Sequence, residues 1–276
     1  MGFKTILVHC DSGPGTPVRL RLAADLAGSF EGHVIGLFVR QLFQAPAFTD
    51  GGPALDSLYK SHEAVVKADE AVAAAAFSDA VIAKGCSSEW RTADGFIDDV
   101  VMGQARYADL VVVGQGGAEA PIADTPPDLA EQVALMGERP VLVVPHIGVA
   151  RKPGGTVMLC WNESREAVRA ATAALPLLKR ADKVIVLTID PPSEAGHEPG
   201  AGVASWLARH GVTATLRRDT AADSDVGSVI LSRAADLDAD LIVMGLFGHS
   251  RMREWVLGGA SRTLLATMTV PVFVMH

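Results

Sequence analysis

The residues from Met244 to Thr263 read Met-Gly-Leu-Phe-Gly-His-Ser-Arg-Met-Arg-Glu-Trp-Val-Leu-Gly-Gly-Ala-Ser-Arg-Thr. Gly245 and Gly248 stand where the apolar run Ala239–Met244 must turn, and Gly258 and Gly259 stand just before a helical pattern that starts near Ser261. Glycine permits positive φ and lets a ligand approach the backbone closely. The first turn of a helix offers unpaired N–H groups and the positive end of its dipole. Together these features make a phosphate cradle, with Arg251 as the candidate phosphate partner. The alternative is a turn and helix cap with no ligand, in which His249 and Arg251 are ordinary exposed loop residues and Trp255 is a hydrophobic contact.

Other chemistries find little support. His9, Cys10 and Asp11 are adjacent, but neighbouring strand residues point to opposite faces, so the run makes no triad. No P-loop lysine, zinc-like spacing or nucleophile elbow is present, and neither a catalytic residue nor a metal site is assigned. Three cysteines, Cys10, Cys86 and Cys160, are an odd number without clustering and read as reduced thiols. No signal-peptide pattern precedes Phe3–Cys10, and no window holds the ~18 apolar residues of a membrane span. A cytoplasmic protein with no membrane partner is therefore expected. A net charge of −8 argues against a nucleic-acid surface.

The elements that position the glycines come from alternating apolar runs. Strands are expected at Thr5–Cys10, His33–Val39, Ser87–Arg91, Ala108–Val113 and Pro140–Val144, with helices between them at 18–29, 55–84, 97–107 and 129–137. The order then repeats: strands at Thr156–Cys160, Val184–Ile189, Thr213–Arg217, Ala239–Met244 and Pro271–Val274, and helices at 166–178, 204–210, 226–235 and from Ser261. Pro176 is expected to end or kink its helix. Ala-Asp-Leu-x-Val and Pro-Val-x-Val recur in order, at Ala108 and Ala239 and at Pro140 and Pro271. The 276 residues therefore form two units, 1–148 and 154–276, each an open five-stranded parallel sheet flanked by helices. Ligands of such sheets sit beyond the C-terminal strand ends.

Gly245-x-x-Gly248, nine residues and then Gly258 resembles the glycine motif of the universal stress protein family, and the Pro271–Val274 ending fits as well. The resemblance covers nearly the whole chain as two tandem Rossmann-like domains of the adenine nucleotide alpha hydrolase type. It implies ATP, AMP or ADP bound in the second half, with Mg²⁺ only as the nucleotide's companion, a role in stress response and at most weak ATPase activity. The positions carried over are Asn162 for the nucleoside, Ile189 for the base, and Met244, Gly245, Gly248, Gly258, Gly259 and Ser261 for ribose and phosphates, beside Arg251. The sequence departs from the motif at Asn162, where the family has Asp, and at Gly259, where it has Ser or Thr. The first half keeps Asp11, Gly114 and Gly117 but has Pro127 and Asp128 where the last glycines belong, so a degenerate site is expected there. The resemblance also implies pairing through Pro140–Val144 and Pro271–Val274, as an intramolecular pseudo-dimer or between chains in a homodimer. The rival reading is an interaction or chaperone-like module that binds no nucleotide.

Overall fold

The computed structural model describes residues 2–43, 53–116, 126–191, 198–222, 224–246 and 259–276. In the first half the elements run β1 (Thr5–Cys10), α1 (Thr16–Phe30), β2 (His33–Gln41), α2 (Pro53–Lys84), β3 (Ser87–Gly95), α3 (Ile97–Ala105), β4 (Leu110–Gly114), α4 (Leu129–Met136) and β5 (Val141–Val144). The second half repeats them as β6 (Thr156–Cys160), α5 (Arg165–Leu178), β7 (Lys183–Ile189), α6 (Ala201–Arg209), β8 (Ala214–Asp219), α7 (Val226–Asp236), β9 (Leu241–Gly245), α8 (Gly259–Thr267) and β10 (Val272–Met275). Two details differ from expectation. β3 runs past the expected end at Arg91 to Gly95, because Asp94 and Gly95 continue the register against Arg40 and Gln41 of β2. Pro176 lies inside α5, which continues to Leu178 before it stops.

The strands form one ten-stranded sheet in the order β3-β2-β1-β4-β5-β10-β9-β6-β7-β8. Every neighbouring pair is parallel except β5 and β10, which pair antiparallel with Val143 opposite Val272 and Val141 opposite Val274. Two five-stranded parallel sheets are thus joined edge to edge. Both faces are covered, as the near-continuous apolar runs require. Alternation sorts the side chains: Ile6, Val8 and Cys10 of β1 enter one core with α1, while Leu7 enters the other with α3 and α4. Each core spans both halves, and the ring of Phe3 lies 6.2 Å from that of Phe273.

The repeated motifs have the same job in each half. Asp109 Oδ2 accepts from Lys4 N (2.8 Å) and Thr5 N (2.9 Å), and Asp240 accepts from Gly154 N, Gly155 N and Thr156 N at 2.7–3.1 Å. Each aspartate therefore fixes the entry of its half's first strand. The prolines act alike: Pro140 O accepts from Val111 N and Pro271 O from Ile242 N, both at 3.0 Å. A proline lacks the N–H but keeps the acceptor, which suits the first position of a strand. Among the described residues no helix is long and apolar enough to cross a membrane.

Candidate nucleotide site

β7, β6 and β9 are neighbours in the sheet, so Ile189, the turn at Asn162, and Met244–Gly245 stand side by side at its C-terminal edge. The turn after β6 is built by Asn162, whose Oδ1 accepts from Ser164 N (3.2 Å) and Ser164 Oγ (2.7 Å). Ser164 in turn caps α5 by accepting from Ala167 N at 3.1 Å. Non-glycine residues with left-handed backbone follow three adjacent strands here: Glu163 (φ 60) after β6, Asp190 (φ 45) after β7 and Ala222 (φ 49) after β8. At the strand ends of the first half no described non-glycine residue has such a φ; Glu31 and Glu138 follow helices. Conformations of this kind persist only where surrounding contacts hold them.

Gly245 is explained without a ligand. A Cβ there would lie 2.5 Å from Ala167 N, so the glycine lets β9 pack against the start of α5. Met244 is buried beside it in the core. Gly259 begins α8 in a more open setting, where among the described residues a Cβ would meet only Asp225 Oδ1, at 3.8 Å. Asp225 caps α7 through Ser228 N (3.0 Å), and a Cβ on Gly227 would strike Ala260 O at 2.4 Å, so the first turns of α7 and α8 lie against each other. Ser261 is buried in the first turn of α8. Gly248, His249, Arg251, Trp255 and Gly258 lie outside the described residues.

The same edge of the first half is built differently. Asp11 Oδ2 is 2.6 Å from Arg19 Nη2 in a buried ion pair, and Asp11 Oδ1 accepts from Gly13 N (2.9 Å) and Thr16 Oγ1 (2.7 Å). Arg19 Nε also donates to His9 O at 3.2 Å. A Cβ on Gly114 would meet Arg19 Nη1 at 2.5 Å, so here the glycine makes room for a guanidinium. Further on, Pro127 O occupies the place of a Cβ on Gly116, at 1.9 Å, so the segment lacking the last glycines lies directly on the backbone. A cavity of about 250 Å³ remains at the ends of β1 and β2, lined by His9, Asp11, Phe38, Val39, His62 and Asp69 among others, with no Lys or Arg among the described residues that line it.

Burial pushes the Cys10 thiol up to about 12, and desolvation shifts Cys160 the same way, so neither is a nucleophile near neutrality. Burial also lowers His9 to about 4, against a smaller opposing effect of Asp11, and its Nδ1 has no hydrogen-bond partner. The Arg19 side of the ion pair and the Asp109 and Asp240 clasps escape a reading of motifs. The repeated Ala-Asp-Leu was the available signal for the clasps.

Residues 155–276 match the Universal stress protein family. That match covers the second half of the chain. The whole fold is similar to a universal stress protein from Archaeoglobus fulgidus, at 17% identity and TM-score 0.70, over 98% of this chain and 95% of that one. It is also similar to a functionally unknown protein from Pseudomonas aeruginosa (17% identity, TM-score 0.61, 99% of this chain and 92% of that one). A putative universal stress protein from the same species gives 18% identity and TM-score 0.57 over 99% and 93%. At these identities the likeness is one of fold, and it extends across both halves. A comparison with curated proteins gives no match. Within the matched residues, Gly245 ends β9 and Gly259 begins α8.

Proposed function

We propose that the chain is a tandem universal stress protein, with units 1–148 and 154–276, whose second unit binds an adenine nucleotide, ATP, ADP or AMP. The observation that carries this reading is the row of Ile189, Asn162 and Gly245 on three adjacent strand ends, in a half whose α8 starts at Gly259 with Ser261 in its first turn. Backbone N–H groups of that turn suit phosphate oxygens. The Asp225 carboxylate beside Gly259 repels a bare phosphate, and Mg²⁺ arriving with the nucleotide offsets that repulsion. In this reading hydrolysis is slow or absent, and the role is that of a cytoplasmic stress-response binder. The first unit does not take phosphate, since Pro127 closes on Gly116 and Asp11 is engaged by Arg19. The two units act as an intramolecular pseudo-dimer through β5 and β10, which leaves a homodimer to form through other surfaces.

Mass spectrometry of nucleotide released from the purified chain, with calorimetric titration of AMP and ATP, tests the reading. One equivalent per chain is expected; none, or two of equal affinity, overturns it. One observation favours the rival interaction module: Gly245 is fully accounted for by packing on α5. That module predicts no nucleotide in either measurement.

A further inference from the structure

We propose that Gln115, from the first half, is a positioning residue for the second-half site: it holds α8 in place and thereby sets nucleotide affinity. Gln115 follows Gly114 at the end of β4 and is buried. Its Nε2 donates to Leu265 O (3.0 Å) and Ala266 O (2.9 Å), while its Oε1 accepts from His146 N (3.0 Å) and meets His146 Nδ1 at 2.8 Å. Both donors and the acceptor oxygen are used. Only this amide orientation works, since the reverse would set an oxygen against two carbonyls.

Leu265 and Ala266 belong to the last turn of α8, where carbonyls have no partner within the helix. Gln115 therefore caps the C-terminal end of the helix whose first turn carries Gly259 and Ser261. The helix is short, about 1.5 Å per residue over nine residues, and moves as one rod. Its other end rests on Gly227 of α7. The grip runs one way. The counterpart of Gln115 is Leu246, which makes the same backbone bond, to Met275 O at 2.9 Å, as Gln115 N makes to Val144 O at 2.8 Å. Leu246 carries no polar group to return the hold. The first half thus keeps a purpose at its altered site: it steadies the other one.

The inference rests on the nucleotide reading above. In the full chain, Gln115→Met keeps length and removes both donors, and Gln115→Glu keeps only acceptors. Each is expected to weaken AMP binding by at least about fivefold and to speed hydrogen exchange at the α8 amides, with the β1 amides unchanged. His146→Ala leaves the donors in place and is expected to keep AMP affinity. A purely structural role would lower the unfolding midpoint without moving affinity. If the Met variant does not fold, Gln115→Asn, one methylene shorter, replaces it. Folded Gln115 variants with wild-type AMP affinity and wild-type α8 exchange overturn the inference. A wild-type chain that binds no AMP sinks the nucleotide reading instead, and the hold on α8 then stands or falls on the exchange rates alone.

Discussion

At the end of β1 the first half buries a carboxylate, a guanidinium and a threonine hydroxyl in one closed network. At the matching end of β6, the second half has Asn162 bonded to Ser164 near the surface, and Ala170, buried, where the first has Arg19. The strand order, the glycine at the end of β4 or β9 and the clasping aspartate are common to both. What differs is whether the polar groups at the edge are satisfied inside the protein or left facing outward. A buried, fully bonded charge gives rigidity and little capacity to bind, whereas an edge with exposed amide and hydroxyl groups retains that capacity.

The largest test of this contrast is Arg19→Met. It removes the guanidinium that pairs with the buried Asp11 carboxylate, and urea unfolding should show a loss of about 3–5 kcal/mol. A loss below about 1 kcal/mol would mean the network is not what holds this edge. Adding Asp11→Ala to the same chain should recover part of the loss, because no uncompensated charge remains.

The next test uses pH. His9 corresponds to Cys160 in the second half, so only the first half buries an imidazole there. Above pH 6.5 the ring is neutral in the folded and unfolded chain alike. As pH falls, the unfolded chain takes up a proton first, while burial keeps the folded ring neutral down to about 4. Stability is therefore present above 6.5 and lost on the way to 4, by roughly 3 kcal/mol for this group. His9→Leu should flatten that part of the stability profile measured in denaturant; an unchanged slope would assign it to other groups.

Smaller effects separate the two kinds of glycine in the second half. Gly245→Ala pushes a methyl group against Ala167 N and should cost about 1–3 kcal/mol in thermal or denaturant unfolding. Gly259→Ala makes an ordinary contact with Asp225 among the described residues and should leave stability within about 0.5 kcal/mol. Gly259→Ser returns a hydroxyl to the motif and should tighten AMP binding a few-fold, worth about 1 kcal/mol. Equal stability losses at both glycines, or no gain from the serine, would remove the distinction between a packing glycine and a ligand-facing one.

Much of the fold was legible because its signals are local. Thr5–Cys10 and Thr156–Cys160 are strands with the bounds that their apolar runs indicate, and the recurring Ala-Asp-Leu and Pro-Val-x-Val exposed the duplication. The strand ends that carry the candidate positions were legible, but the interactions made there were not. Asp11 stood out only as a kept motif position, whereas its turn with Gly13 and its ion pair with Arg19 depend on α1 folding over the strand end. Gly245 looked like a ligand glycine, and only the approach of α5 reveals its packing role. Gln115 meets Leu265 across 150 residues of sequence, a contact that no periodicity encodes.

The seam between β5 and β10 has one further consequence. Antiparallel pairing sets Leu142 opposite Phe273, its own counterpart in the repeat, whereas Val141 faces Val274 and Val143 faces Val272. Both central side chains are fully buried on the same side of the sheet. Two first halves joined this way would oppose leucine to leucine and leave space; two second halves would oppose phenylalanine to phenylalanine and crowd it. The volume at the centre of the seam is thus filled by one leucine and one phenylalanine, so making the two residues alike in either direction changes how that point packs.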